Sequence, residues 1–257
     1  MTWFEALILG LLEGVTEFLP VSSTGHLVLV SALLKLEPTS FQTSFIIAIQ
    51  AGAILAVVAL YGRRLLTNWN LTKRIAVAFV PTGIVGFALY KVIKTVFLTQ
   101  TTLVVVALAL GGVLMIVFEA WYKRRPGARR DVASLSYRDA FFLGLAQAVS
   151  VVPGVSRSGA TILGGLALGL SRQAVVEFTF LLAIPTMVAA TGYDLYRSAG
   201  AFTLADTQGF LIGFVFSFLS ALVAIKWLMR FIANHDFTLF GAYRIAAAIL
   251  MWWLLLA

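Results

Sequence analysis

Uncharged, strongly apolar stretches recur from one end of the chain to the other, and they limit what it can fold into. Residues 103–118, 209–225 and 245–257 contain no charged side chain at all. A helix of about 20 apolar residues covers the hydrocarbon core of a bilayer. Six segments meet that length, at roughly 41–62, 74–95, 101–122, 173–196, 208–231 and 237–256. Only 12% of the residues are charged, about half the share in a soluble domain (~25%). The expectation is an all-α polytopic membrane protein, with residues 1–257 forming one membrane domain. The chain has no cysteine, which removes disulfide frameworks and thiolate metal sites. Its start lacks a basic stretch, and Glu13 and Glu17 interrupt the apolar run, so it does not read as a cleavable signal.

Two regions fit no simple span. Residues 3–19 run straight into Pro20, Ser22, Ser23, Thr24 and Gly25, followed by an apolar run to Leu36. Residues 138–152 run into Pro153, Gly154, Ser156, Arg157, Ser158 and Gly159, followed by an apolar run to Leu170. Each arm is short for a crossing, and the turns are polar. Both regions are expected to be re-entrant helix-turn-helix hairpins, because non-helical backbone survives at that depth only inside protein or against a wet cavity. The two regions also match each other. Ala6, Leu9, Gly10, Leu11, Val15, Val21, Ser22 and Gly25 recur as Ala140, Leu143, Gly144, Leu145, Val149, Val155, Ser156 and Gly159, a constant offset of 134. The chain therefore reads as a duplication, with repeats at 1–125 and 135–257 around a basic linker at 123–138. Each copy holds one hairpin and three spans. Three is odd, so the copies are expected to be inverted, with their broken helices meeting near the midplane.

The net charge of +8 belongs to the loops of a membrane protein and does not call for nucleic acid. One set of loops carries Arg63, Arg64, Lys73, Arg74, the six cations from Lys123 to Arg138, Arg172, Lys226 and Arg230; the other carries Lys35, Lys91, Lys94 and Arg197. By the positive-inside rule the first set is cytoplasmic. Both termini and the first hairpin's entrance then face outward.

The chemistry is concentrated in the hairpins. Glu13 and Glu17, four residues apart, share a helix face, where two carboxylates repel in low dielectric unless a proton or a cation sits with them. Ionisable groups at this depth mark function by default. Ser22, Ser23 and Thr24 offer hydroxyls, and Gly25 and the following helix start offer N–H groups, a natural anion site. His26 lies within reach of the same turn. In the second hairpin Arg157 brings a permanent cation whose planar fork suits phosphate oxygens, while Ser156, Ser158, Gly159 and Thr161 add donors. At matched positions Glu13 stands opposite Gln147, Glu17 opposite Val151, Ser23 opposite Arg157 and His26 opposite Ala160. One turn is equipped for acid–base and nucleophilic work, the other for holding an anion. Together they make a phosphoryl-transfer site. Arg244, in the last span, is expected to pair or to snorkel, and Glu119 and Glu177 lie near membrane boundaries; all three are weaker candidates.

The stretches Glu13-Gly14-x-Thr16-Glu17-Phe18-Leu19-Pro20-Val21-Ser22-Ser23-Thr24-Gly25-His26 and Pro153-Gly154-x-Ser156-Arg157-Ser158-Gly159-x-Thr161 resemble the undecaprenyl-diphosphate phosphatases, also known as bacitracin-resistance proteins. Phe178 to Pro185 and Tyr243-Arg244-Ile245 are similar too. The resemblance implies six spans with two re-entrant hairpins, in a bacterial inner membrane. It implies hydrolysis of a C55 polyprenyl diphosphate to the monophosphate carrier lipid used in peptidoglycan synthesis. It carries the family's acidic pair onto Glu13 and Glu17, its histidine onto His26, its arginine onto Arg157 and its nucleophile onto the Ser22-Ser23 pair, with Ser23 favoured. It also implies a divalent cation, Mg²⁺ or Ca²⁺, on Glu13 and Glu17. A homodimer is left open as a further partner. Under this reading Ser23 attacks phosphorus and His26 or Glu17 takes its proton, or water attacks directly with the same residues around it. The competing readings are transport of the same lipid and proton-coupled carriage of a soluble anion, since inverted repeats with broken helices are also a transporter design.

Overall fold

The computed structural model describes residues 1–36, 40–95, 100–124, 129–197 and 207–256. Within them the architecture is helical, and six helices are long and apolar enough to cross a membrane. In chain order the helices are α1 (Trp3–Thr16), α2 (Ser23–Leu33), α3 (Ser40–Thr67), α4 (Trp69–Ala88), α5 (Tyr90–Thr95), α6 (Thr101–Lys123), α7 (Tyr137–Ala148), α8 (Arg157–Ala167), α9 (Arg172–Arg197), α10 (Thr207–Asn234) and α11 (Thr238–Leu255). The six long apolar ones are α3, α4, α6, α9, α10 and α11. They correspond to the six expected spans, with shifted ends. α3 continues to Thr67, where Asn68 caps the next helix by accepting from the Leu71 N–H. The expected 74–95 span instead stops at Leu89, whose N–H turns back to Val85, and α5 follows as a separate piece. Arg125, within the basic linker, lies outside the described residues.

The two short pairs, α1–α2 and α7–α8, are built from like parts. Thr2 and Glu5 form a capping box at the start of α1, and Ser136 and Asp139 form one at the start of α7. Such a box satisfies donors that a helix start leaves open. At the corners Ser22 (φ 71°) and Ser156 (φ 74°) adopt left-handed backbone, which a side chain adopts only at a cost. α2 and α8 then close with the same pair of bonds. Lys35 and Leu36 donate to Ala32 and Ser31, and Gly169 and Leu170 donate to Leu166 and Gly165.

Glycine sets how closely these helices dock. A Cβ at Gly10 would lie 2.5 Å from the Gly213 carbonyl of α10, and one at Gly14 would meet Ser217, Ser220 and Ala221 of the same helix. α1 thus lies backbone to backbone on α10 through a Gly-x-x-x-Gly step, a common device where hydrophobic attraction between helices is absent. Gly144 does the same for α7 against Ala78 of α4. α2 reaches α6 and α11, and α8 reaches α6 and α9. The core holding the turns in place includes Phe18, Phe178, Phe180 and Met115, all fully buried.

Ion pairs tie several helix ends together. Arg64 at the end of α3 pairs with Glu177 of α9, and Lys123 at the end of α6 pairs with Asp236 between α10 and α11. Glu119 is fully buried, accepts from Arg172 at 2.6 and 3.0 Å and caps the Phe237 N–H at 3.1 Å. Glu119 and Glu177 are therefore engaged in holding helix ends.

Candidate active site

The turn of the first pair meets the turn of the second. Between them lies a cavity of about 110 Å³, lined by Glu17, Ser22, Ser23, Thr24, Ser156 and Arg157 together with Gln50, Ser150, Val152, Pro153 and Gly154. Glu17 caps the C-terminal end of α1, with its N–H on the Glu13 carbonyl. Its carboxylate works on two fronts. One oxygen accepts a hydrogen bond from the Ser23 hydroxyl. The other accepts from the Arg157 guanidinium at 3.0 Å, and both partners of this ion pair are largely buried. Arg157 also donates to the Thr179 carbonyl at 3.3 Å and lies over the Phe18 ring at 5.5 Å. Breaking a buried pair from one side costs about 3–5 kcal/mol, because it strands the other charge.

Ser23 and Arg157 are each the first residue of a short helix, 134 positions apart. Their helix starts differ. Ser156 caps α8 by accepting from the Gly159 N–H at 3.1 Å. Ser22 makes no such bond to α2. The first N–H groups of a helix have no partner inside it, and at α2 the Ser23–Thr24 end borders the cavity, which favours an anion there.

The other expected residues sit behind the cavity wall. His26 is buried, with Nδ1 2.8 Å from the Ser22 carbonyl and Nε2 2.7 Å from the Tyr243 hydroxyl, its ring stacked on Tyr243. A carbonyl can only accept, so Nδ1 carries a proton, and in the neutral ring Nε2 accepts from tyrosine. Neither ring nitrogen is on Ser23. Ser158 donates to the Leu19 carbonyl at 2.9 Å and so stitches the second turn to the first. Thr161, fully buried, donates to the Arg157 carbonyl at 2.9 Å. Gly25 and Gly159 are buried in their helix starts. Glu13 is fully buried, and both its carboxylate oxygens lack a hydrogen-bond partner. Its counterpart Gln147 is also fully buried but donates to Thr82 and Thr186, each at 3.0 Å. Gln50 and Ser150 were not singled out in the sequence. Gln50 had a faint signal, as a polar residue inside a span.

These features define a class: a polytopic helical membrane protein with a hydroxyl–carboxylate–guanidinium relay enclosed between two broken helices. Residues 6–250 match the family described as "Bacitracin resistance protein BacA", and the chain belongs to that family. It is 51% identical to an undecaprenyl-diphosphatase of Sulfurihydrogenibium sp. over 97% of this chain and 98% of that one. It is 49% identical to the undecaprenyl-diphosphatase of Aquifex aeolicus, over 95% of each. The undecaprenyl-diphosphatase of Thermus thermophilus is 48% identical, over 95% of this chain and 94% of its own.

Proposed function

We propose that the chain is an integral-membrane hydrolase that removes the terminal phosphate of undecaprenyl diphosphate, yielding the lipid monophosphate and inorganic phosphate. The relatives' shared name supports the substrate. The observation that carries the reaction type is the Glu17 carboxylate, which holds the Ser23 hydroxyl with one oxygen and Arg157 with the other. Arg157 and the uncapped start of α2 receive the phosphate oxygens. Ser23 attacks the terminal phosphorus as Glu17 takes its proton. The bond to the bridging oxygen breaks, and the lipid monophosphate leaves. Glu17 passes its proton to the departing lipid phosphate; water then attacks the phosphoserine with the freed carboxylate as base, the Ser23–phosphorus bond breaks as that proton returns to Ser23, and phosphate departs. His26 keeps the Ser22 corner in shape. A lipid carrier would need no hydroxyl held by an acid at its anion site, so the transport reading is not favoured.

The acid pair fits a hard divalent cation, Mg²⁺ or Ca²⁺. Glu13 has two unpartnered oxygens beside Glu17, and the described residues contain no cluster of three or more His, Asp or Glu. Mg²⁺ typically takes one or two carboxylates and completes its shell with water and substrate phosphate. Glu13 and Glu17 would hold the ion, which when bound would neutralise charge on the phosphate oxygens.

The finer architecture belongs to the same reading: two inverted copies whose hairpins enter from opposite faces. Its support is an exchange of partners. α1 packs on α10 while α7 packs on α4, and α3 meets α10 while α9 meets α4, as a two-fold relation between copies requires. The cavity borders Gln50 of α3, and its Arg157 bonds Thr179 of α9, both inside their helices and not at the ends. The paired ends carrying Arg64, Lys123 and Arg172 are the ones that loop charge assigns to the cytoplasm of a bacterial inner membrane. The termini and the site's opening then face outward. A homodimer is an open proposal for light scattering in detergent. The deciding experiment is phosphate release from C55 diphosphate by purified protein in detergent, with and without chelator. Release that stops on chelation and returns with Mg²⁺ or Ca²⁺ is expected. No release under any metal condition would overturn the phosphatase reading.

A further inference from the structure

Arg244 is the largest fully buried side chain in the molecule's described part, 1% exposed. The sequence suggested that it would pair or snorkel, and it does neither. Its guanidinium has five N–H donors, and the structure gives it five carbonyl acceptors. Nε donates to Leu108 at 3.2 Å; Nη1 donates to Pro20 at 3.3 Å and Val155 at 3.0 Å; Nη2 donates to Ala107 at 3.3 Å and Gly154 at 2.9 Å. No carboxylate is among them. Two of these carbonyls belong to α6. The other three belong to the turns: Pro20 lies just before the Ser22 corner, and Gly154 and Val155 just before the Ser156 corner.

A turn at this depth leaves carbonyls that water cannot serve. Left free beside the cavity, their negative ends would also oppose an anionic substrate. We infer that Arg244 is a positioning residue that fixes the two turns to each other and to α6, setting the register between Ser23 and Arg157. The same helix contributes the preceding residue, Tyr243, to His26 and through it to the Ser22 carbonyl. α11 thus carries two adjacent side chains that fix the corner geometry without touching the cavity. This role deepens the proposed phosphatase chemistry and rests on it for its kinetic consequence. Its structural consequence, rigid turns, stands alone.

Gly111 of α6 allows a test that leaves the arginine in place. A Cβ at Gly111 would sit within 2.7 Å of the Arg244 Cζ and closer still to Nη2. Gly111→Ala therefore displaces the guanidinium from its carbonyls, while alanine favours the helix. Arg244→Lys keeps the charge but has three donors and no fork. Each variant would be purified in detergent and compared with wild type in melting temperature, in kcat and KM on C55 diphosphate, and in hydrogen–deuterium exchange across residues 18–26 and 152–160. The expected result is a kcat lower by about 100-fold, the scale of an ångström-sized misplacement, with KM within about threefold. Exchange should be faster in both turns than elsewhere in the bundle, and Gly111→Ala should melt at a lower temperature but still in one cooperative transition. Wild-type kcat in Gly111→Ala would overturn the proposal, as would a kcat loss with unchanged exchange. Global unfolding of both variants would assign Arg244 to the whole bundle and overturn a role specific to the turns. An inactive wild type would instead count against the phosphatase reading, and the exchange data would still report on the brace.

Discussion

Ser23 donates to Glu17, whereas the adjacent Ser22 supplies the left-handed corner and the carbonyl that holds His26. The two serines should therefore respond differently to alanine. Ser23→Ala is expected to lose at least about 10³-fold in rate, the scale for a positioned nucleophile. Ser22→Ala should lose roughly 10-fold, in line with one hydrogen-bonding group. Single-turnover phosphate release in detergent separates the cases, and a few per cent residual rate in Ser23→Ala with normal binding would point to water as nucleophile. Arg157 divides its guanidinium between Glu17 and a carbonyl of α9, a planar arrangement that an ammonium cannot copy. Arg157→Lys should be nearly as inactive as Arg157→Ala. Near-normal turnover in the lysine variant would mean that charge alone suffices there.

Among the elements, α1 depends on its contact with α10, and that contact has no room for a side chain at Gly14. Gly14→Ala would drive a methyl against the α10 backbone, at 2.8 Å from the Ala221 N–H nitrogen and nearer to Ser217. Overpacking of this kind costs about 1–3 kcal/mol. A Cβ at Gly86 of α4 meets nothing within 4 Å, so Gly86→Ala should be neutral or gain up to about 1 kcal/mol of helix propensity. Melting curves of the two variants in one detergent should move apart, Gly14→Ala downward. Equal melting temperatures would mean that α1 yields freely against α10. The capping boxes at Thr2–Glu5 and Ser136–Asp139 were legible as T-x-x-E and S-x-x-D, also 134 apart, and are the sequence signal of helix starts that apolar periodicity passes over. The break at Leu89 was not legible, because neither proline nor glycine marks it.

For the whole molecule, the proposed orientation rests on loop charge and on which helix ends meet. Asn70, in the first turn of α4, and Gln100, before α6, are exposed and fall at opposite ends of the bundle. In the cysteine-free chain, Gln100→Cys should react with an impermeant thiol reagent in intact cells, and Asn70→Cys only after lysis. The reverse pattern would overturn the orientation and with it the outward-opening site.

The order of spans, the two broken helix pairs and the residue types of the site were all readable along the chain. Each is a local property: apolar run length, a polar turn at a corner, or a match at a fixed offset. What the sequence left open was which polar groups satisfy one another. His26 could have been the base for Ser23, but Tyr243, 217 residues away, takes one ring nitrogen and the Ser22 carbonyl the other. Glu17 bonds Ser23, six residues on, and Arg157, 140 residues on. Arg244 looked like a stray charge until five carbonyls from three segments closed around it. Hydrogen-bond partners inside a bilayer are assigned by the competition of every buried donor for a few acceptors without water, and only the assembled bundle decides that competition.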